Sequence, residues 1–506
     1  MRPNRWTIIA LLTSLAAGCQ ARGRSDCDRA SADRDCDGAV VQVDCDDADP
    51  RRAPGIDEVV GDGVDQDCDG SDHPTTSLRE AASARYASEL GGSNLGWRVA
   101  CGPDRGDDGV GDLAAIASQF GDHPWRHSFA AALPGPVPGE HSVEEVLDLR
   151  VEPAELSPFT VMLGLVGHEH GGGLILENRA HDEEMQYRAS FVTQSGPIDE
   201  NTPTLALPMD VWQALGTEVR PFPYAGPADL TGDGDFDYAL GPMVLESIPE
   251  GLVDLSAVGR LALEPTGQRS DWSGTENAVG DLDHDGQDDL LFSGVVPPVW
   301  VVFGPIGEVP AERDGPDVAQ FWPEDVDLPT AQNFAAEIGD VSGDGIDDLV
   351  IANMWYGADA SSASVTGIGA VYVWFGPLSA GRHTTATADA RFVGELPGAW
   401  TGRGLALADF DGDGTRSLVV GAPASRLAVP GLVYVFDEPL KAGELTAADA
   451  VAIYRGEEPN ATTGFSVVAC DTDRDGRDEL VVGAPRVDTS DSGRDAGVFY
   501  WLAEGP

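Results

Sequence analysis

The chain has 506 residues and 86 acidic against 31 basic side chains, for a formal net charge of −55. Phosphate backbones are gripped by clustered Lys and Arg, so this balance excludes nucleic acid as a partner. One hydrophobic core does not extend over so long a chain, so the fold has to be divided into several packing units.

Arg2 and Arg5 precede an apolar run from Trp6 to Leu12, followed by Leu15-Ala16-Ala17-Gly18-Cys19. The run is too short to span a membrane and has the order of an export signal. Small residues ahead of Cys19 resemble a bacterial lipobox, with Leu15 one position earlier than usual. The resemblance implies a signal peptide over 1–18, lipidation of Cys19 and a lipid anchor as the sole membrane attachment. Gln20 rather than Asp follows, which by analogy with enteric sorting favours the outer membrane or cell surface. Ordinary signal cleavage is the alternative.

Residues 19–72 are rich in Asp and Cys and poor in large apolar side chains. Asp44-Cys45-Asp46-Asp47-Ala48-Asp49-Pro50, Pro54-Gly55, Glu58 and Asp62-Gly63-Val64-Asp65-Gln66-Asp67-Cys68-Asp69-Gly70 resemble the MopE-type metal-binding motif, without its further Cys near Val60 and Gly61. Carboxylate donors suit calcium better than copper or zinc. A plain acidic stalk is the competing reading. Apart from Cys19, six cysteines indicate an oxidising compartment. Cys27 with Cys36 and Cys45 with Cys68 are plausible local pairs. Residues 73–83 read as a linker.

From residue 84 an acidic pattern recurs. Asp281-Leu282-Asp283-His284-Asp285-Gly286-Gln287-Asp288-Asp289 carries Asp at positions one, three, five and nine and Gly at six. Hard oxygen donors at this spacing suit Ca²⁺. The pattern starts at Asp104, Asp229, Asp281, Asp340, Asp409 and Asp471. The expected ligands are Asp104, Asp108 and Asp112; Asp229, Thr231, Asp233 and Asp237; Asp281, Asp283, Asp285 and Asp289; Asp340, Ser342, Asp344 and Asp348; Asp409, Asp411 and Asp413; and Asp471, Asp473, Asp475 and Glu479. Gly106 at position three and Ser417 at position nine mark two of the six sites as weaker. An EF-hand needs Glu at position twelve, where this chain has Ala115, Leu240, Phe292, Ile351, Val420 and Val482. Positions ten to twelve read Leu349-Val350-Ile351 or Leu480-Val481-Val482, so each loop leads into a buried strand. The interval from Asp104 to Asp229 is about double the others, and Val166 to Leu174 reads as a decayed copy in its middle. Seven units of roughly 60 residues result, a period in the range of propeller blades.

Gly464-Phe465-Ser466-Val467-Val468, Val481-Val482-Gly483-Ala484-Pro485 and Leu418-Val419-Val420-Gly421-Ala422-Pro423 resemble the FG-GAP repeats of integrin α-like propellers. The resemblance implies an all-β, seven-bladed β-propeller over 84–506 that binds calcium. Ala84-Arg85-Tyr86-Ala87-Ser88-Glu89-Leu90 matches Ala390-Arg391-Phe392-Val393-Gly394-Glu395-Leu396, and the chain ends on what looks like a third strand. Residues 84–90 are therefore expected to complete the last blade. Cys101 and Cys470 precede the first and last loops, so they are expected to form a disulfide across the closure.

Arg105-Gly106-Asp107 lies inside a metal loop and Asn460-Ala461-Thr462 is a sequon in a chain with a bacterial signal; neither carries a function here. His168-Glu169-His170 reads as part of the decayed loop rather than a metal cluster. No catalytic motif stands out, and the chain reads as a non-enzymatic binding or adhesion module for a protein or glycan at the cell surface. Trp355, Tyr356 and Trp400, in loops at the end opposite the metal loops, are the expected contact residues; packing between blades is their alternative role. The rival functions are an exported polysaccharide- or lipid-degrading enzyme on the same scaffold and a metal-scavenging surface protein.

Overall fold

A computed structural model describes most of residues 75–506 and scattered positions from 46 to 74; residues 1–45 and several connecting stretches, the longest being 207–223, are not described. The signal segment, Cys19, Cys27 and Cys36 lie outside the described residues, as do Asp104, Asp108 and the turn 167–172 with His168, Glu169 and His170. The chain separates into two units, Met1–Pro74 and Thr75–Pro506. Among the described residues no helix is long and apolar enough to cross a membrane.

Among its described residues the second unit contains seven sheets in succession along the chain. The fifth shows the plan. Phe334–Gly339 pairs antiparallel with Asp348–Asn353, which pairs with Ala370–Trp374, which pairs with Ala390–Val393. The middle strands Asp348–Asn353 and Ala370–Trp374 are buried at every position. Sheets stacked on both faces need side chains that pack on both, hence continuous runs such as Leu349-Val350-Ile351 instead of an alternating pattern.

The cores lie between consecutive sheets. Phe321 and Trp374 belong to the cluster between the fourth and fifth, and Val350, Phe392, Val420 and Tyr434 to that between the fifth and sixth. Further clusters join the third to the fourth, the sixth to the seventh, and the seventh to the first. The innermost strands of the first and second sheets, Leu95–Gly102 and Thr160–Val166, lie side by side. Each fully buried Leu or Phe in these seams contributes about 1.5–3 kcal/mol of transfer free energy.

The seventh sheet is built from both ends of the chain. Ser466–Cys470, Glu479–Ala484 and Val498–Leu502 are joined by Ala84–Ala87, which pairs antiparallel with the last of them, Ala84 opposite Trp501. Cys101 and Cys470, on the innermost strands of the first and seventh sheets, form a disulfide with a Cα separation of 6.3 Å. Cys68 is also disulfide-bonded; Cys45 lies outside the described residues.

The linker reading of 73–83 needs correction. Thr76–Ser77 pairs in parallel with Tyr454 and Arg455 at the outer edge of the sixth sheet, and the short helix Leu78–Ala81 buries Leu78 in the seam beside it. The same device recurs. Gly139–Ser142, Gly381–Thr384 and Gly443–Leu445 cap the outer edges of the seventh, fourth and fifth sheets. Such caps are short, polar and anchored by few buried side chains, so their composition does not differ from a linker's.

Candidate metal centres

Each described acidic loop joins the first strand of a sheet to its second. The first Asp organises the loop. In the third sheet Asp229 accepts the N–H groups of Gly232, Asp233 and Gly234 at 2.8, 3.1 and 3.1 Å. Asp281 accepts those of Asp285 and Gly286 at 3.0 and 2.9 Å, and Asp471 repeats this with Asp475 and Gly476 at 3.0 Å. The fifth Asp then takes the seventh N–H: Asp285 from Gln287 at 2.9 Å and Asp344 from Ile346 at 3.0 Å. Gly at position six is fixed by backbone conformation. Gly286 has φ +89° and open space where a Cβ would point, so a left-handed turn and not crowding selects it.

Carboxylates converge in these turns. One oxygen from each of Asp471, Asp473, Asp475 and Glu479 lies within 4.8 Å of the others. Asp281, Asp283 and Asp285 form a second such group, and Asp409, Asp411 and Asp413 a third. These are acidic clusters able to hold a metal ion. Their donors are hard oxygens, the chemistry of a calcium or magnesium site. The loop at Asp229 offers an independent test of fit. Thr231 Oγ1 and Asp237 Oδ1 are buried with no hydrogen-bond partner. A buried unpaired carboxylate oxygen is costly, and a coordinated cation satisfies it.

Position nine does more than the sequence suggested. Asp289 Oδ2 accepts from the Leu282 N–H at 2.7 Å and Oδ1 from the Gly304 N–H at 2.8 Å, tying the loop to the turn after the third strand. Asp348 is held likewise by Val341 and Ser342 and by Gly376. Asp289 falls outside the group formed by Asp281, Asp283 and Asp285, whereas the longer Glu479 reaches into its own cluster. Asp112 receives the Gly135 N–H at 3.3 Å.

Electrostatics follow from this burial. Desolvation, with the charges of Asp283 and Asp281 adding to it, pushes Asp289 up to about 7 against the opposing N–H bonds of Gly304 and Leu282. Desolvation raises Asp348 to about 6. Burial also raises Asp237, Asp283 and Glu479, and neighbouring carboxylates add to it. A bound cation would favour the charged forms instead.

The loop at Asp409 departs in a way the sequence reading missed. Ser417, at position nine, donates its hydroxyl to Glu438. Glu438 stands immediately before Pro439, in the place of Gly304 before Pro305 and Gly376 before Pro377. The sixth sheet therefore has a carboxylate on the partner turn where its sisters have one on the strand. The paired exchange of Asp for Ser and Gly for Glu was its only signal.

In the first unit Asp49 pairs with Arg51 at 2.5 Å and Asp46 with Arg52 at 3.5 Å. The Arg51 hydrogen bond holds the Asp49 carboxyl below the usual range. Trp355 and Trp400 come together at the other end of the sheets, with ring centroids 5.8 Å apart. Both are half-buried, and both indole N–H groups are buried without a partner. Tyr356 lies under the guanidinium of Arg391 at 4.7 Å and packs against the core between the fourth and fifth sheets.

The family model for the FG-GAP repeat matches residues 334–374 and 463–500, which are the first three strands of the fifth and seventh sheets. This chain carries FG-GAP repeats. Repeats of this kind fit a β-propeller, and the loops inside the matched segments begin at Asp340 and Asp471. The Cu-binding MopE model, described as a metal-binding motif, matches residues 44–74. Among curated proteins the chain is similar to the phosphatidylinositol-glycan-specific phospholipase D of Bos taurus, with 29% identity over 163 residues, 31% of this chain and 19% of the relative. The Mus musculus protein of the same name is 30% identical over 155 residues, 29% of this chain and 17% of the relative. The chain thus spans less than a fifth of the length of these relatives.

Proposed function

We propose that this chain is a calcium-stabilised, seven-bladed propeller, lipid-anchored through Cys19 and displayed outside the cell, that binds a protein or glycan without catalysing a reaction. The observation that carries the reading is that the acidic loops and the aromatic pair stand at opposite ends of the sheets. Loops built on Asp229, Asp281, Asp340, Asp409 and Asp471 occupy one end, and the Trp355–Trp400 pair stands at the other. Calcium supports the scaffold, and the aromatic end is left for a partner. The test is a pulldown from the cell's own envelope with the lipid-free chain, with and without chelator. A partner retained only with calcium, and lost on Trp355→Ala with Trp400→Ala at unchanged melting temperature, supports the reading. Equal capture by the double variant rejects the aromatic end as the site.

The partial similarity to phosphatidylinositol-glycan-specific phospholipase D favours one rival, an exported enzyme acting on lipid. Incubation with a phosphatidylinositol-glycan-anchored protein in calcium separates the two. The binding reading expects no released protein, and catalytic release would replace it.

A further inference from the structure

The acidic loops are fastened to one another in chain order. The Asp288 carboxylate, eighth residue of the loop at Asp281, accepts the backbone N–H of Asp229 in the preceding sheet at 2.8 Å. Asp347 does the same for the N–H of Asp281 at 3.0 Å, and Asp478 for that of Asp409 at 2.9 Å. In the last pair a return bond runs from the Asp478 N–H to the Asp409 carbonyl at 2.7 Å. All three acceptors are half-buried between sheets. The residue they hold is the one whose two oxygens gather the N–H groups of its own loop, so they fix the piece on which each cluster is assembled.

Between the loops at Asp340 and Asp409 the series is interrupted. Position eight of the loop at Asp409 is Arg416, which offers no acceptor to Asp340. Its N–H donates to the Asp340 carbonyl at 2.7 Å, and its guanidinium lies 3.5 Å from an Asp478 oxygen. The carboxylate fastenings therefore link the loops at Asp229, Asp281 and Asp340, stop, and resume from Asp409 to Asp471.

We propose that Asp288, Asp347 and Asp478 are positioning residues for the cation site of the preceding loop, so that occupancy is coupled within two groups, Asp229–Asp281–Asp340 and Asp409–Asp471, and not between them. This rests on the reading of the loops as cation sites. A cation in one loop orders the turn that carries its eighth residue. That residue then holds the first ligand of the preceding loop in its binding orientation. Linkage makes the coupling reciprocal, so a cation in the preceding loop equally favours binding in the next.

The test is a calcium titration of the full chain followed by hydrogen exchange and mass spectrometry, with a separate midpoint for each loop. In Asp347→Ala the midpoint of the loop at Asp281 is expected to rise about fivefold or more. The midpoints at Asp409 and Asp471 are expected to stay in place. Asp347→Asn keeps an acceptor oxygen and is expected to recover most of the loss. Asp478→Ala provides a second arm, moving the loop at Asp409 and not that at Asp281. A shift confined to the mutated loop, or spread equally over all five, overturns the proposal. If no loop gains protection with calcium, the cation reading itself fails and the coupling with it.

Discussion

Arg85 Nη2 donates to Glu457 Oε2 at 3.2 Å, joining residues 372 positions apart. Arg85 comes from the strand that completes the seventh sheet, and Glu457 from the crossover leaving the sixth. Tyr500 also gives its hydroxyl to Glu457. Burial alone would disfavour the Arg85 charge, but the Glu457 carboxylate more than offsets it, so its pKa is raised. The pair thus fastens the N-terminal strand to the crossover from the sixth sheet in a largely buried seam.

Removing Glu457 leaves the buried Arg85 charge only Glu140, 3.8 Å away and exposed, so most of the cost of breaking a buried pair, about 3–5 kcal/mol, applies. Glu457→Ala is therefore expected to destabilise the propeller by that order, whereas Tyr500→Phe is expected to cost about 1 kcal/mol. Denaturant unfolding of the two variants checks the ranking. Equal effects would mean that Arg85 finds another partner.

The Cys101–Cys470 bond spans a sequence separation of 369. Closing so long a loop restricts the unfolded chain, which corresponds to about 6 kcal/mol in loop-entropy models. The Cys101→Ser, Cys470→Ser double variant is expected to unfold at a clearly lower denaturant midpoint than the oxidised parent. It should match the reduced parent. A variant as stable as the oxidised parent would show that the sheet pairing of Ala84–Ala87 closes the ring unaided.

The repeat and its closure were legible because they rest on local spacing and internal likeness. Asp at one, three and five with Gly at six marks a turn wherever it occurs, and Ala84-Arg85-Tyr86 carries the pattern of Ala390-Arg391-Phe392. Thr76–Ser77 was not legible, because two polar residues at a sheet edge have no pattern of their own. Nor were Asp288, Asp347 and Asp478, which look like spare carboxylates until the next sheet places a backbone N–H against them. The spacing marks Asp289 as a ligand, whereas its bonds to Leu282 and Gly304 depend on how the third strand returns.

Metal removal and pH should act together. The folded-state values of Asp289 and Asp348 are about 7 and about 6, above the ordinary 3.8. A carboxyl raised on folding favours the folded state while protonated, fully so below its unfolded value, and that contribution is lost as pH rises through the folded value. Metal-free protein is therefore expected to lose stability between about pH 4 and 7, on the order of 4 kcal/mol from Asp289 alone. Calcium should reverse the slope by favouring the ionised forms and add about 2.7 kcal/mol per site at a hundred times Kd. Asp285→Ala should cost less than full chelation. Melting curves with calcium and with excess chelator at pH 5 and pH 8 decide it; identical curves would reject a structural cation.

Ser417 and Glu438 offer a sharper test of how each loop is tied to its partner turn. In the fourth and fifth sheets an Asp on the strand meets a Gly N–H on the turn, at 2.8 Å in both. In the sixth the strand supplies a hydroxyl and the turn a carboxylate. Ser417→Asp alone places two carboxylates against each other in a buried seam. Glu438→Gly alone leaves the Ser417 hydroxyl without its acceptor. Each is expected to cost about 1–3 kcal/mol. Together they recreate the pairing of Asp289 with Gly304, so the double variant should be more stable than the sum of the singles by at least about 1 kcal/mol. A double-mutant cycle in chelator isolates this coupling from any bound cation. Additive losses would mean that the two positions vary independently and that Glu438 has no part in replacing the missing Asp.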